Sequence, residues 1–232
     1  MSFSKFQVSI VLRIMSKNVL PLKLLYERFS VFDSSLSLSE FEKDFNAFSV
    51  EYLTAYKNKY KHLLFPPIYL NGVKYFLRKV YFYFPGYSRG YYYYLSSMNF
   101  NLFHDFLMSV LSDYIASLKF HFQVHYGFAG RELSNDLVIP SLNIAFEVET
   151  GLKSHNLYDL NQRLGILPIN QEDVNKRFIN EYYTYILVAN DDIKERYIKY
   201  YSSLSDKYNF SLFENYKFNV YTFYDFSKIK LI

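Results

Sequence analysis

The chain has 232 residues, a formal charge of +4, and neither cysteine nor tryptophan. The missing cysteine excludes disulfides and thiolate metal sites, and no apolar run reaches the ~20 residues that a membrane-spanning helix requires. Half of the residues are hydrophobic and 22% are aromatic, enough for one large core or two small ones. A pI near 8.9 permits nucleic-acid binding without demonstrating it. Met1-Ser2-Phe3-Ser4-Lys5 lacks the basic start and cleavage site of a secretory leader, so a cytoplasmic protein is expected.

The first part of the chain, residues 1–98, reads as a mainly helical region. Residues 6–15 form an apolar run that suits a buried helix. Pro21 opens a second helix over residues 22–29, since proline's missing N–H costs nothing in a first helical turn. Ser39 and Glu42 have the spacing of a capping box and start a third helix that reaches Tyr52. Asn71-Gly72 is a strong signal for a tight hairpin turn. Three helices and a hairpin resemble a winged helix, which would direct the third helix to a DNA groove and the Asn71-Gly72 wing to phosphate. That helix, however, carries Glu40, Glu42, Asp44 and Glu51 against Lys43. The second reading is therefore a helical extension that packs on the remaining chain or mediates dimerisation. Residues 81–87 and 90–95 are aromatic runs around Ser88-Arg89. Such strands beside a cation can stack bases, and more commonly bury one face in a core.

Residues 99–232 read as a second, α/β region. Residues 101–119 have apolar side chains at helical spacing. Residues 120–127 suit a strand, and residues 157–164 a helix with Asn161, Gln162 and Arg163 on its polar side. Residues 183–189 suit a buried strand, residues 191–201 a helix opened by Asp191, and residues 219–226 a last strand. Between these lie Val138, Ile139, Ile144, Ala145, Phe146 and Val148, two short apolar runs around Pro140-Ser141-Leu142-Asn143. They predict an antiparallel hairpin. Alternation puts Glu147 and Glu149 on one face of its second strand, with Asp136 at the mouth of the first. Gathered carboxylates repel unless a cation neutralises them, and an all-oxygen ligand set suits Mg²⁺ or Mn²⁺.

The order Asp136, Glu147, Glu149, Gly151, Lys153, with the phrase Phe-Glu-Val-Glu-Thr-Gly at 146–151, resembles the PD-(D/E)xK nuclease superfamily of restriction endonucleases and Holliday junction resolvases. It looks most like archaeal and viral branches reading EVETG. The resemblance covers about residues 100–230 and implies a restriction-endonuclease-like α/β core of order αβββαβ, a mixed central sheet flanked by helices. It implies a metal-dependent DNA endonuclease acting on branched, replication or repair intermediates, commonly as a homodimer, in the cytoplasm of the host cell if the source is viral. Asp136, Glu147 and Glu149 would hold the metal, and Lys153 would stabilise developing charge. His104, Asp105, Asp113, Gln162 and Arg163 are accessory candidates. The departure is Glu149, which occupies the usual place of the motif lysine; Lys153 would have to be turned back by Gly151, with Lys119 and Arg163 as substitutes. The alternative is a catalytically inactive nuclease-fold protein that binds DNA or assembles with it. DNA-contacting cations would be Arg131, Lys153, Arg163, Lys176 and Arg177. The histidines form no His-Glu-x-x-His, and neither a Gly-x-Ser-x-Gly elbow nor a Walker loop is present.

Overall fold

The computed structural model describes residues 3–97, 101–124, 135–151, 157, 160, 161, 164, 182–208 and 217–231. The chain is mixed α/β and forms two compact units, one of Met1–Phe82 with Gly86–Phe106, the other of Tyr83–Pro85 with Leu107–Ile232. No helix among the described residues is long and apolar enough to cross a membrane.

The first unit begins with α1 (Lys5–Met15), strand β1 (Leu20–Pro21), α2 (Leu22–Ser30) and α3 (Leu38–Leu53). A capping box starts α1: the Gln7 backbone N–H donates to Ser4 Oγ, and Ser4 N–H donates to Gln7 Oε1 at 2.9 Å. The box that starts α3 is Ser37 with Glu40, not Ser39 with Glu42, because Ser37 holds the extended backbone (φ −71°, ψ 164°) that an N-cap needs. Hydrogen bonds from Ser37 hold the Glu40 carboxyl below its ordinary value. Pro21 stands at the N-cap of α2 while also pairing within β1. The apolar faces of these helices bury Met15, Leu25, Phe29, Phe41 and Phe45. Rings pack closely there, most of them tilted, with Phe45 and Tyr93 edge-on at 4.9 Å and 83°.

This unit holds more sheet than a mainly helical region implies, with the expected hairpin and the aromatic strands joined in one sheet. Strands β4 (Ile68–Leu70), β5 (Val73–Phe82) and β6 (Gly90–Ser97) join β1 in an antiparallel sheet of order β1-β6-β5-β4. A separate small hairpin pairs β2 (Tyr56–Lys57) with β3 (Leu63–Leu64). Asn71 (φ 50°) and Gly72 (φ 77°) make the two-residue turn between β4 and β5, as their tolerance of left-handed backbone predicts. The aromatic runs become strand: Tyr92, Tyr93, Tyr94 and Leu95 are buried from both faces of β6.

Helix α4 (Leu102–Ser117) leads into the second unit, whose five strands are β7 (Gln123–Val124), β8 (Leu137–Ile139), β9 (Ile144–Glu149), β10 (Tyr183–Val188) and β11 (Phe218–Thr222). Their order is β11-β10-β9-β8-β7. Strands β7, β8 and β9 are antiparallel neighbours, whereas β10 runs parallel to both β9 and β11. A long helix, α5 (Asp191–Tyr208), joins β10 to β11, and a last turn of helix, α6 (Phe223–Phe226), follows at once. The final strand therefore ends at Thr222 rather than Phe226: the Thr222 hydroxyl accepts from the Asp225 N–H at 3.0 Å and converts the chain to helix. Both faces of the sheet are covered. Phe146 and Tyr185 meet Phe226 on one side, with Tyr114 of α4 against the same ring. Ile186, Val188, Phe218 and Val220 pack with Tyr197 and Tyr201 of α5 and with Leu160 and Leu164 on the other.

Candidate functional site

Every residue of β9 is buried, the signature of a central strand with layers on both faces. Two of its six residues are nonetheless glutamates. Register sorts them: Glu147 lies beside Ile186, and Glu149 beside Val188, so both point to the α5 side of the sheet. Phe146 and Val148 point the other way, toward the aromatic layer around Phe226. Glu147 has no exposed surface and Glu149 retains 5%. Apolar side chains would fill such positions without desolvation cost, so a pair of carboxylates here is not a packing choice.

The β8–β9 turn is built as the sequence predicts. Pro140–Leu142 form one 3₁₀ turn and Asn143 takes left-handed angles (φ 57°, ψ 41°) that asparagine tolerates. The resulting register pairs Leu137 with Phe146, and one further step puts Asp136 opposite Glu147. Asp136 lies one residue before the start of β8, and its Oδ2 accepts the Val148 N–H at 2.7 Å. That side chain stands in for the backbone acceptor a longer β8 would have supplied.

Glu149 is held from across the layer. Its Oε2 accepts the Tyr197 hydroxyl at 3.0 Å, and the same hydroxyl lies 3.3 Å from the Gly151 carbonyl oxygen. One turn further along α5 the Tyr201 hydroxyl donates to Asn161 Oδ1 at 3.2 Å, and Asn161 Nδ2 donates to the Tyr200 hydroxyl at 2.9 Å. Tyr197 is the functional-site neighbour that sequence reading misses. Its spacing with Tyr201 marks a buried helix face, yet nothing local tells which acid that face will meet. Where β10 gives way to α5, Asn190 Oδ1 accepts the Ile193 N–H, and Lys194 grips Asp225 at 2.6 Å, which holds the Asp225 carboxyl below its ordinary value.

The expected ligand set is brought together in part. Asp136, Glu147 and Glu149 belong to one hairpin end, but among the described residues no three His, Asp or Glu side chains form a group that could hold a metal ion. The turn that would bring Lys153 back lies outside the described residues; the Gly151 carbonyl oxygen lies 3.3 Å from the Tyr197 hydroxyl. Lys153, Gln162 and Arg163 lie outside the described residues, as do Arg131, Lys176 and Arg177. His104 and Asp105 sit 3.8 Å apart in the first turn of α4 and belong to the first unit. Asp113 is exposed on α4, the helix whose Tyr114 packs on the sheet face opposite the glutamates. Lys119 ends that helix with a positive φ of 61°. The donor set on the hairpin still suits a hard cation. It is all oxygen, and Mg²⁺ commonly takes one or two carboxylates and completes its shell with water and phosphate. No protein-family model, no curated protein and no solved structure matches this chain.

Proposed function

We propose that the chain is a metal-dependent DNA endonuclease of the PD-(D/E)xK kind. The observation that carries this reading is the pair Glu147 and Glu149, buried side by side on one face of the central strand with Asp136 opposite. The order of elements supports it: a helix, three antiparallel strands, then a strand parallel to the third, match the part of the αβββαβ order of that superfamily that the described residues cover. In this reading Asp136 and Glu147 present oxygens to Mg²⁺ or Mn²⁺, and Tyr197 fixes the direction of Glu149. A bound metal would supply an activated water and charge neutralisation at the scissile phosphate. Lys153 is the proposed cation for the developing charge, and a second copy would be needed to cut both strands of a duplex. The three helices and antiparallel hairpins of the first unit fit the winged-helix resemblance.

A second reading has its own support. Glu149 stands where the motif lysine is usual, and Asp136 and Glu149 each accept a hydrogen bond with a structural role. An inactive nuclease fold that binds DNA would look the same. Incubating the protein with labelled duplex, junction and single-stranded DNA, in Mg²⁺, Mn²⁺ or EDTA, separates the two. The nuclease reading expects cleavage that needs metal and disappears in Glu147→Gln. Binding without cleavage in either metal would leave the inactive fold, and cleavage that survives both Glu147→Gln and EDTA would sink the nuclease assignment at this site.

A further inference from the structure

The positive charge of this protein is concentrated in the strands of its first unit. Between Glu51 and Asp105 the chain contains no acidic residue at all, yet it carries seven lysines and arginines. The whole chain sums to only +4, so everything outside that segment is net negative. Lys57, Lys59, Lys61, Lys74, Lys79 and Arg89 are all exposed on the strands and turns of this unit. Helix α3, which the winged-helix reading would direct at DNA, exposes Glu40 and Glu51 against Lys43.

The cations are interleaved with rings. Lys79 Nζ lies 4.1 Å from the ring centre of Tyr91, a side chain that is 52% exposed. Tyr81, directly opposite Tyr91 across the β5–β6 pair, meets it edge-on at 5.4 Å and accepts a 2.6 Å hydrogen bond from Arg89 Nε. On the small hairpin Lys59 Nζ sits 4.8 Å from the ring of Tyr60, which is 66% exposed. Lys74 approaches Phe76 at 5.4 Å. A cation held beside an exposed ring offers a phosphate partner and a stacking face within one nucleotide's reach.

We propose that this tyrosine-bearing strand surface, drawn from a segment without acidic residues and centred on Lys79, Tyr81, Arg89 and Tyr91, binds single-stranded nucleic acid. Lysine and arginine meet the phosphates, and the exposed tyrosines take unpaired bases, whose faces a duplex hides. The surface is independent of the reaction proposed at Glu147, so either assignment can fail alone.

The test is fluorescence anisotropy of the full chain with a labelled oligo(dT) twenty-mer in EDTA, which stops any metal-dependent cleavage. An oligo(rU) of equal length, a duplex of equal length and phosphatidylserine vesicles serve as competitors. The expected result is binding to both single strands in preference to the duplex, with a log–log salt slope of about −0.7 per phosphate contact. Tyr91→Ser should weaken binding about fivefold to a hundredfold, the range for losing one stacked base, while Tyr91→Phe keeps the ring and the affinity. Lys79→Glu and Arg89→Ala test the phosphate contacts at exposed positions, and circular dichroism verifies each variant. Wild-type affinity in Tyr91→Ser and Lys79→Glu would overturn the proposal. So would tighter binding to the duplex, or complete displacement by vesicles at concentrations where free oligonucleotide of the same charge does not compete.

Discussion

Replacing Tyr197 by phenylalanine removes one oxygen and leaves the ring in place. The hydroxyl lies 3.0 Å from Glu149 Oε2, Tyr197 has no exposed surface, and Glu149 is 5% exposed, so water has little access to the broken bond. A buried hydrogen bond contributes about 0.5–1.5 kcal/mol, and leaving a buried acceptor short of its donor costs about 1–3 kcal/mol. The expected loss is therefore ~2 kcal/mol. At roughly 2–4 °C per kcal/mol for a chain of this size class, Tm should fall by about 4–8 °C. Thermal and urea unfolding of wild type, Tyr197→Phe, Glu149→Met and the double variant complete a mutant cycle, since methionine offers no oxygen acceptor to the Tyr197 hydroxyl. A coupling above ~1 kcal/mol is expected, since the two groups touch. If Glu149 also serves a metal site, the same substitution should weaken Mg²⁺ affinity about 10–100-fold, as loss of a ligand-orienting partner does. A Tyr197→Phe protein with unchanged Tm and no coupling to Glu149→Met would refute the reasoning, because the Glu149 carboxyl would then have no need of that donor.

Asp136 offers a separation of structure from chemistry: Asp136→Ala strands the Val148 N–H beside the start of β8 and should cost about 1–2 kcal/mol, whereas Asp136→Asn keeps an oxygen acceptor and should unfold within ~1 kcal/mol of wild type. If the carboxylate serves a metal, both variants lose cleavage equally; cleavage retained in Asp136→Asn removes it from the reaction. Burial beside Phe103 pushes the Tyr94 hydroxyl up to about 12. Its folded value lies above its unfolded one, so the stability tied to the neutral phenol is intact below pH 10.0 and is lost as pH rises through 10.0 toward 12. Urea midpoints for Tyr94→Phe, which has no proton to lose, should fall less than those of wild type between pH 10 and 11; parallel declines would place the ionisation elsewhere.

Much of the local structure can be read directly from neighbouring residues. Asn71-Gly72 turns because both residues accept positive φ, and Pro140 to Asn143 turn for the same reason at Asn143. Strand alternation alone puts Glu147 and Glu149 on one face. These features depend on interactions within a few residues, which the order of side chains specifies. The errors are local as well: overlapping serine–glutamate spacings competed at the start of α3, and a threonine cap ended β11 where alternation suggested more strand.

What only the tertiary structure decides is which surfaces meet. Nothing near Leu20 announces that it pairs with Tyr93, because a two-residue strand carries no periodicity of its own. Nothing near Tyr197 names Glu149 as its partner, and nothing in the hairpin tells whether its acids face water or a helix. Those outcomes follow from packing between segments far apart in sequence, where burial of apolar area is non-directional and the partner is set by the shape of the assembled core. The sequence by itself determined the acids, their spacing and their shared face. Tertiary packing decided that Glu147 would have no exposed surface and that a tyrosine from α5 would hold Glu149, which turns two charged residues on a strand into a candidate site.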